Sequence, residues 1–322
     1  MIEEFPQTES NDSLAAMVTV PKVSVLTTAY NPGGYLDVAL ESLYKQTFVD
    51  FEHVLIDNGT TDGSIDAIDP DERCKLTRHE NIGRTPALVE ALELATGDYC
   101  AILDADDVWH PEHLARQVEW LDENPECVLV ATWCRWIDEN GREKNRTVRP
   151  TEPEDVRHRM AWENPISNSA TMFRREVALK QGGYDNAYPF AQDFDLWIRM
   201  VQVGDAKILP EYLTDIRELT SSESHRPNPE SRVRKAFDEL RLYQKAGEQL
   251  KLDREAMQKN RTTTARVAVD YGDALIAAGR VASGMKWKAW AMSKDPLIYA
   301  RLLVTSLRNL WRPGKFSNAH VR

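Results

Sequence analysis

Residues 22–57, KVSVLTTAYNPGGYLDVALESLYKQTFVDFEHVLID, decide the fold. The run 22–30 is rich in β-forming residues and closes on Asn31-Pro32-Gly33-Gly34, a turn signal. Residues 35–46 then place Leu36, Ala39, Leu40 and Leu43 at helical spacing, and 52–57 is again an apolar strand, ending in the turn residues NGTTDGS. The same alternation continues outward. It predicts a helix over 62–69, a strand over 74–79, a helix over 85–96 stopped by Gly97, and a strand over 99–104. A further helix runs through 122, with Pro111 in its first turn, where a missing N–H costs nothing. Four strand–helix units predict an α/β fold, a mainly parallel sheet with helices on both faces.

Open parallel sheets bind ligands at the carboxyl ends of their strands. Polar side chains gather at those ends: Thr28 and Tyr30 after the first strand, Asp57 after the second, Asp104 and Asp106 after the fourth. Scattered surface acids would not collect on one rim. The densest cluster, in YCAILDADDVWHPEHL (99–114), admits three readings: a divalent-metal site, a phosphatase nucleophile, or a polar turn before a helix. Carboxylates spaced D-x-D at a strand end suit a hard cation such as Mg²⁺ or Mn²⁺, which prefers oxygen ligands.

The 322 residues suffice for one large α/β domain with an appendage. A formal net charge of −11 argues against a nucleic-acid partner, which calls for a basic footprint. Residues 1–20 are acidic and aperiodic, without the basic and apolar regions of a secretory signal, and read as a flexible leader. No run of eighteen apolar residues predicts a membrane span. Cys74, Cys100, Cys127 and Cys134 lack C-x-x-C spacing and read as reduced thiols, the first two in strands, which points to the cytoplasm.

Beyond 128–150, a hairpin with its turn at Asn140-Gly141, the alternation weakens. A second polar cluster, FAQDFDLWIRM (190–200), opens a helix carrying Leu196, Trp197 and Met200. From about 230 the chain reads as helical to its end, with a helical hairpin over 274–296 where small residues allow close approach. No acid follows Asp295, while Arg301, Arg308, Arg312, Lys315 and Arg322 are basic. A helix from about 297 to 311 carries Arg301 and Arg308 on one face, either docked on its own domain or lying peripherally on an anionic membrane surface.

Together the segments VSVLTTAYNPGGYLDVALESLYKQTF, LIDNGTTDGS, ENIGRTPALVEALELATGDYCAILDADD, MFRRE, GGYD and QDFDLWIRM resemble glycosyltransferase family 2, over roughly residues 22–220. The resemblance implies a GT-A fold over 21–225, with a nucleotide-sugar half (about 21–125), an acceptor half (about 126–225) and a helical C-terminal region (226–322). It implies a metal-dependent, inverting enzyme that moves a sugar from a nucleoside-diphosphate sugar, UDP-linked, to an acceptor hydroxyl of a saccharide or glycolipid in polysaccharide, glycolipid or glycoconjugate synthesis. Thr28 and Tyr30 match the family's nucleotide-contacting segment, Asp57 the acid that accepts from the base, and Arg84 a residue facing the diphosphate. Asp104 and Asp106 match the D-x-D motif, with Asp106 the metal ligand for Mn²⁺ or Mg²⁺, Asp104 nearer the ribose and Asp107 a helper.

Asp193 matches the general base, which the chemistry needs because a hydroxyl is a poor nucleophile until its proton is taken. Asp195 and Trp197 anchor the helix start and wall the acceptor pocket. The chain departs from the family in three places. Gln192 replaces a usual Glu, which makes Asp193 less basic. Leu88 stands where an arginine is frequent, and Ile216-Arg217-Glu218-Leu219 lacks the family's histidine, with His225 six residues beyond that position.

Two other readings stay open. Asp104-Ala105-Asp106-Asp107-Val108 fits the D-x-D-x-V motif of haloacid-dehalogenase-type phosphatases, although that motif follows the first strand of its domain and here three units precede it. The replaced Glu and missing His also fit a protein that binds a nucleotide-sugar without turning it over.

Overall fold

The structure is a computed structural model that describes residues 20–219 and 228–302. Its first half follows the alternation: β1 (Val23–Ala29), α1 (Tyr35–Tyr44), β2 (Phe51–Asn58), α2 (Ser64–Ala67), β3 (Cys74–His79), α3 (Arg84–Leu94) and β4 (Tyr99–Ile102). β1 pairs in parallel with both β2 and β4, and β2 with β3. All eight residues of β2 are buried, the pattern of a strand covered on both faces. Ala29 lies opposite Asp57, so the loops after β1 and β2 leave the sheet side by side.

Two expectations are corrected here. The fourth strand stops at Ile102, short of the acids. Pro111 lies ahead of the cap Glu112 of α4 (His113–Glu123), where its carbonyl accepts from the Thr47 N–H at 2.8 Å. A two-residue strand, β5 (Val108–Trp109), lies between.

The weakening alternation after residue 128 marks a change in strand direction. β6 (Cys127–Ile137) and β7 (Glu143–Thr147) form the expected hairpin, with Gly141 at φ 79°. After α5 (Pro153–Arg159), β8 (Thr171–Arg174) inserts antiparallel between β4 and β6. Next come α6 (Arg175–Lys180), α7 (Gln192–Met200) and β9 (Asp205–Arg217), which pairs in parallel with β6. The nine strands make one sheet in the order β3-β2-β1-β4-β8-β6-β9-β5, with β7 added on β6.

The helical region comprises α8 (Pro229–Gln249), α9 (Arg254–Ala277) and α10 (Val281–Lys294). The expected hairpin is the end of α9, a turn at Gly279 (φ 80°) and α10. Its helices meet at glycines: a Cβ on Gly284 would stand 2.5 Å from the Gly272 carbonyl oxygen. The chain is helical again over 298–302, and Arg308 with the rest of the expected 297–311 helix lies outside the described residues, as do residues 1–19 and His225. Among the described residues no helix is long and apolar enough to cross a membrane. The four cysteines are free thiols, and Cys100, Cys127 and Cys134 are buried.

Candidate active site

At the amino end of the sheet a buried acid is fully occupied. Glu52 accepts from Ser24 Oγ at 2.6 Å and from the Thr96 N–H and hydroxyl at 2.7 and 2.8 Å, and pairs with Lys75. The acids at the carboxyl end are arranged differently. Directly after β4 the chain closes a turn, the Asp107 N–H donating to the Asp104 carbonyl at 3.1 Å, so three carboxylates crowd into four residues. Asp104 accepts from Arg84 Nη2 at 2.8 Å and from Asn168 Nδ2 at 3.0 Å. Asp107 is buried and accepts the Arg217 N–H at 2.8 Å.

Among the described residues no other residue donates to the Asp106 carboxylate, and the charges of Arg84 and Arg217 only partly offset that of Asp104. Burial, then the charge of Asp104, pushes it up to about 6. Burial and the charges of Asp106 and Asp104 raise Asp107 as well. Packed, mutually repelling carboxylates form a site complementary to added positive charge.

Arg84 owes its place to the loops before α3. Asn58 Oδ1 accepts the Ile82 N–H at 2.9 Å and Asn81 Oδ1 the Gly83 N–H at 3.0 Å, fixing the approach to the helix. Gly59 permits this packing: it lies at φ +85°, and a Cβ there would stand 2.6 Å from the Asn81 nitrogen. From the first position of α3, Arg84 feels Asp104 most strongly, then Asp193 and Asp106, and these acids hold its guanidinium above its ordinary pKa. Leu88, one turn on, is 1% exposed in the core and leaves the cation to Arg84.

Asp193 sits in the first turn of α7 and accepts from Asn164 Nδ2 at 3.3 Å. Burial raises its pKa, with Arg84 opposing and Asp104 reinforcing the shift. Desolvation thus offsets the basicity lost with the Gln192 replacement. The helix is anchored from behind. Asp195, 0% exposed, pairs with Arg199 and with Lys245 of α8, each at 2.6 Å, while Arg199 donates to the Gly183 carbonyl at 2.7 Å. Lys245→Met leaves Asp195 one partner, so unfolding stability should fall by roughly 1–3 kcal/mol, less than for a buried acid stripped of both. Denaturant unfolding of the variant beside Lys245→Arg measures this.

The other expected residues are placed as follows. Tyr30 is 50% exposed at the end of β1, and Thr28 is half-buried. Asp57 is buried, and its Oδ1 accepts the Thr60 N–H at 2.8 Å. Asn31 Oδ1 ties the neighbouring loops by accepting the Thr61 N–H at 2.8 Å. These residues share the sheet edge with Asp104. Among the described residues no hydrogen bond joins them to the Arg84–Asp104–Asp193 group.

Asp195 and Trp197 are not on a pocket wall: both are 0% exposed, and Trp197 packs on Phe173 with ring centroids 5.4 Å apart. Their apolar or ion-paired surroundings in the core leave no face to an acceptor. Asp195 does anchor α7, as its contacts with α8 show.

Several contributors were not singled out by sequence reasoning. Asn164, Asn168 and Ser169 come from an irregular stretch before β8 whose signal, Asn and Ser in a turn, is common to any loop. The Tyr184 hydroxyl is buried without a partner among the described residues, in the field of Asp193, Asp104 and Arg84. Arg217 clamps the acidic turn: besides its N–H to Asp107, its Nε donates to the Asp106 carbonyl at 2.9 Å, and its guanidinium lies 4.7 Å from the Tyr35 ring centre. Surface cavities of about 330 and 450 Å³ lie against α5 and α9 and at the ends of α7 and α8, away from the acids.

The family model for glycosyl transferase family 2 matches residues 24–182. An uncharacterised glycosyltransferase of Methanocaldococcus jannaschii is 31% identical over 210 residues, 61% of this chain and 71% of the relative. The amylovoran biosynthesis glycosyltransferase AmsE of Erwinia amylovora is 29% identical over 202 residues, 60% of this chain and 75% of the relative. The chain belongs to glycosyltransferase family 2 and is a glycosyltransferase. That membership displaces the phosphatase reading of Asp104.

Solved structures agree in fold. Residues 1–349 of S. aureus TarS, in complex with UDP-GlcNAc, superpose with a TM-score of 0.63 at 17% identity, covering 94% of this chain and all (100%) of that one. The mannosyltransferase PcManGT of Pyrobaculum calidifontis, in complex with GDP-Man and Mn²⁺, gives 0.56 at 22% identity, covering 91% and 88%.

Proposed function

We propose that the chain transfers a sugar from a nucleoside-diphosphate donor, UDP-linked, to an acceptor hydroxyl of a saccharide or glycolipid, with inversion at the anomeric carbon. The observation that carries this reading is the field shared by Arg84, Asp104, Asp106 and Asp193, which come from three separate segments and meet on one rim. Residues of about 21–125 hold the donor in this reading, and those of about 126–225 face the acceptor.

Tyr30 offers an exposed ring to the base and Asp57 an acceptor for its N–H, with Thr28 beside them. Arg84 faces the diphosphate, and Asp104, whose Oδ1 takes the Arg84 and Asn168 bonds, keeps Oδ2 to accept from the ribose. The oxygen-only donor set and the Asp106 carboxylate, which accepts from no other residue among those described, fit a hard divalent cation, Mn²⁺ or Mg²⁺. Among the described residues no three His, Cys, Asp or Glu side chains could together hold a metal ion, so Asp106, with Asp104 alongside, would share it with the donor's phosphates. Once bound, such a cation supplies countercharge to the departing diphosphate.

Asp193 takes the proton of the acceptor hydroxyl, whose oxygen bonds to the anomeric carbon from the face opposite the diphosphate. The bond from that carbon to the phosphate oxygen breaks, and its electron pair leaves with the nucleoside diphosphate. AmsE, named for amylovoran biosynthesis, supports a polysaccharide setting, and UDP-GlcNAc in TarS supports a UDP donor. GDP-Man in PcManGT leaves GDP-sugars as the competing choice.

A thermal-shift screen of UDP-, GDP- and dTDP-sugars, with and without Mn²⁺, tests the reading. A donor that binds the native state raises the melting temperature by mass action, and a UDP-sugar with Mn²⁺ should give the largest rise. No shift with any donor would overturn it.

A further inference from the structure

The α10 helix is apolar on two faces. Gly284 and Ala291 are buried on the side that packs on α9. On the outer side Val281, Met285 and Met292 are 55%, 56% and 48% exposed, spaced four and seven residues apart along one stripe. Leu297, just beyond the helix end, is 59% exposed. A helix facing only water would carry polar residues there, and an exposed apolar stripe of this kind marks a docking surface.

The charge of the segment selects its occupant. No acid occurs in α10, and residues 280–302 hold Arg280, Lys286, Lys288, Lys294 and Arg301 against Asp295 alone, in a chain of net charge −11. Arg280, Lys288 and Arg301 are matched by Glu230, Asp273 and Asp295. Lys286 and Lys294 have no ion pair among the described residues, and Lys294 lies over the Trp290 ring, 5.3 Å from its centre. A second copy of the helix would set basic against basic. Residues 303–322 of the chain, which also lack acids and carry four basic residues (Arg308, Arg312, Lys315 and Arg322), would do the same.

We propose that the outer face of α10 docks on an anionic lipid surface, with Met285 and Met292 entering the headgroup boundary while Lys286, on the flank of that face, and Lys294, reaching round from the helix end, meet the lipid phosphates. Apolar burial and charge attraction then act together. The inference is independent of the glycosyl-transfer chemistry, since none of these residues belongs to the site.

The test is co-sedimentation of the full chain with phosphatidylcholine vesicles, with and without phosphatidylglycerol. The wild type should bind only the anionic vesicles, and less as salt rises. Lys286→Glu with Lys294→Glu should weaken binding by at least about tenfold, and Met285→Ser with Met292→Ser by a similar factor. Nucleoside-diphosphate release from the donor should remain at the wild-type rate in both variants, which shows that they are folded. Equal binding to neutral vesicles, or no binding at all, overturns the proposal. So does anionic binding that survives both double variants, or a change in oligomeric state in place of vesicle release.

Discussion

Asp193→Asn should lower sugar transfer by about a thousandfold, within the range that a positioned base contributes. Donor affinity should change by less than about twofold, because in the proposed reading Asp193 acts on the acceptor and not on the donor. The substitution keeps the side chain's shape and can retain the contact with Asn164, so the loss reports the missing proton acceptor and not a displaced helix. Burial raises the pKa of Asp193, so the wild-type pH profile carries the same signature. The base must be ionised to act, so kcat/KM falls as pH drops through its pKa, and that fall begins above the usual carboxylate range. Steady-state transfer across pH, paired with donor binding by calorimetry, checks both points. A variant that transfers at near wild-type rate removes Asp193 from the role.

Asp106→Asn should separate stability from activity. In the free protein the Asp106 charge is largely buried beside Asp104 and Asp107, with no donor from another residue among those described, so it costs stability once ionised. Removing it should raise the melting temperature of the metal-free protein at pH 8 by a few degrees, equivalent to about 1–2 kcal/mol. The same change should cut donor turnover by about a hundredfold or more, through loss of the countercharge a cation supplies. Mn²⁺ with donor should stabilise the wild type and leave the variant almost unmoved. A destabilised variant that still responds to Mn²⁺ would place the cation elsewhere.

The alternation of apolar strands and amphipathic helices through residue 122 was legible because each unit is local: the strand 74–79 coincides with β3, and helix ends fall within a few residues of the expected ones. The antiparallel insertion of β8 was not legible, since it depends on which partner a four-residue strand finds across the sheet. In the site, the acids at strand ends could be named because the fold sends them to one edge. Asn168 and Tyr184 could not, because their importance comes from what folding brings beside them. Trp197 shows the reverse error: an aromatic next to a candidate base invites a binding role, yet helical periodicity turns it into the core. Asp195 likewise reads as a site acid and is a buried anchor between α7 and α8.

The most direct test of the displacement at this rim is the anomer released when water stands in for the acceptor. With the α-linked nucleotide-sugar that most stabilises the protein, supplied with Mn²⁺, proton NMR should show the β-anomer of the free sugar first, converting to the equilibrium mixture only later. The first-formed α-anomer would contradict a single in-line displacement assisted by Asp193.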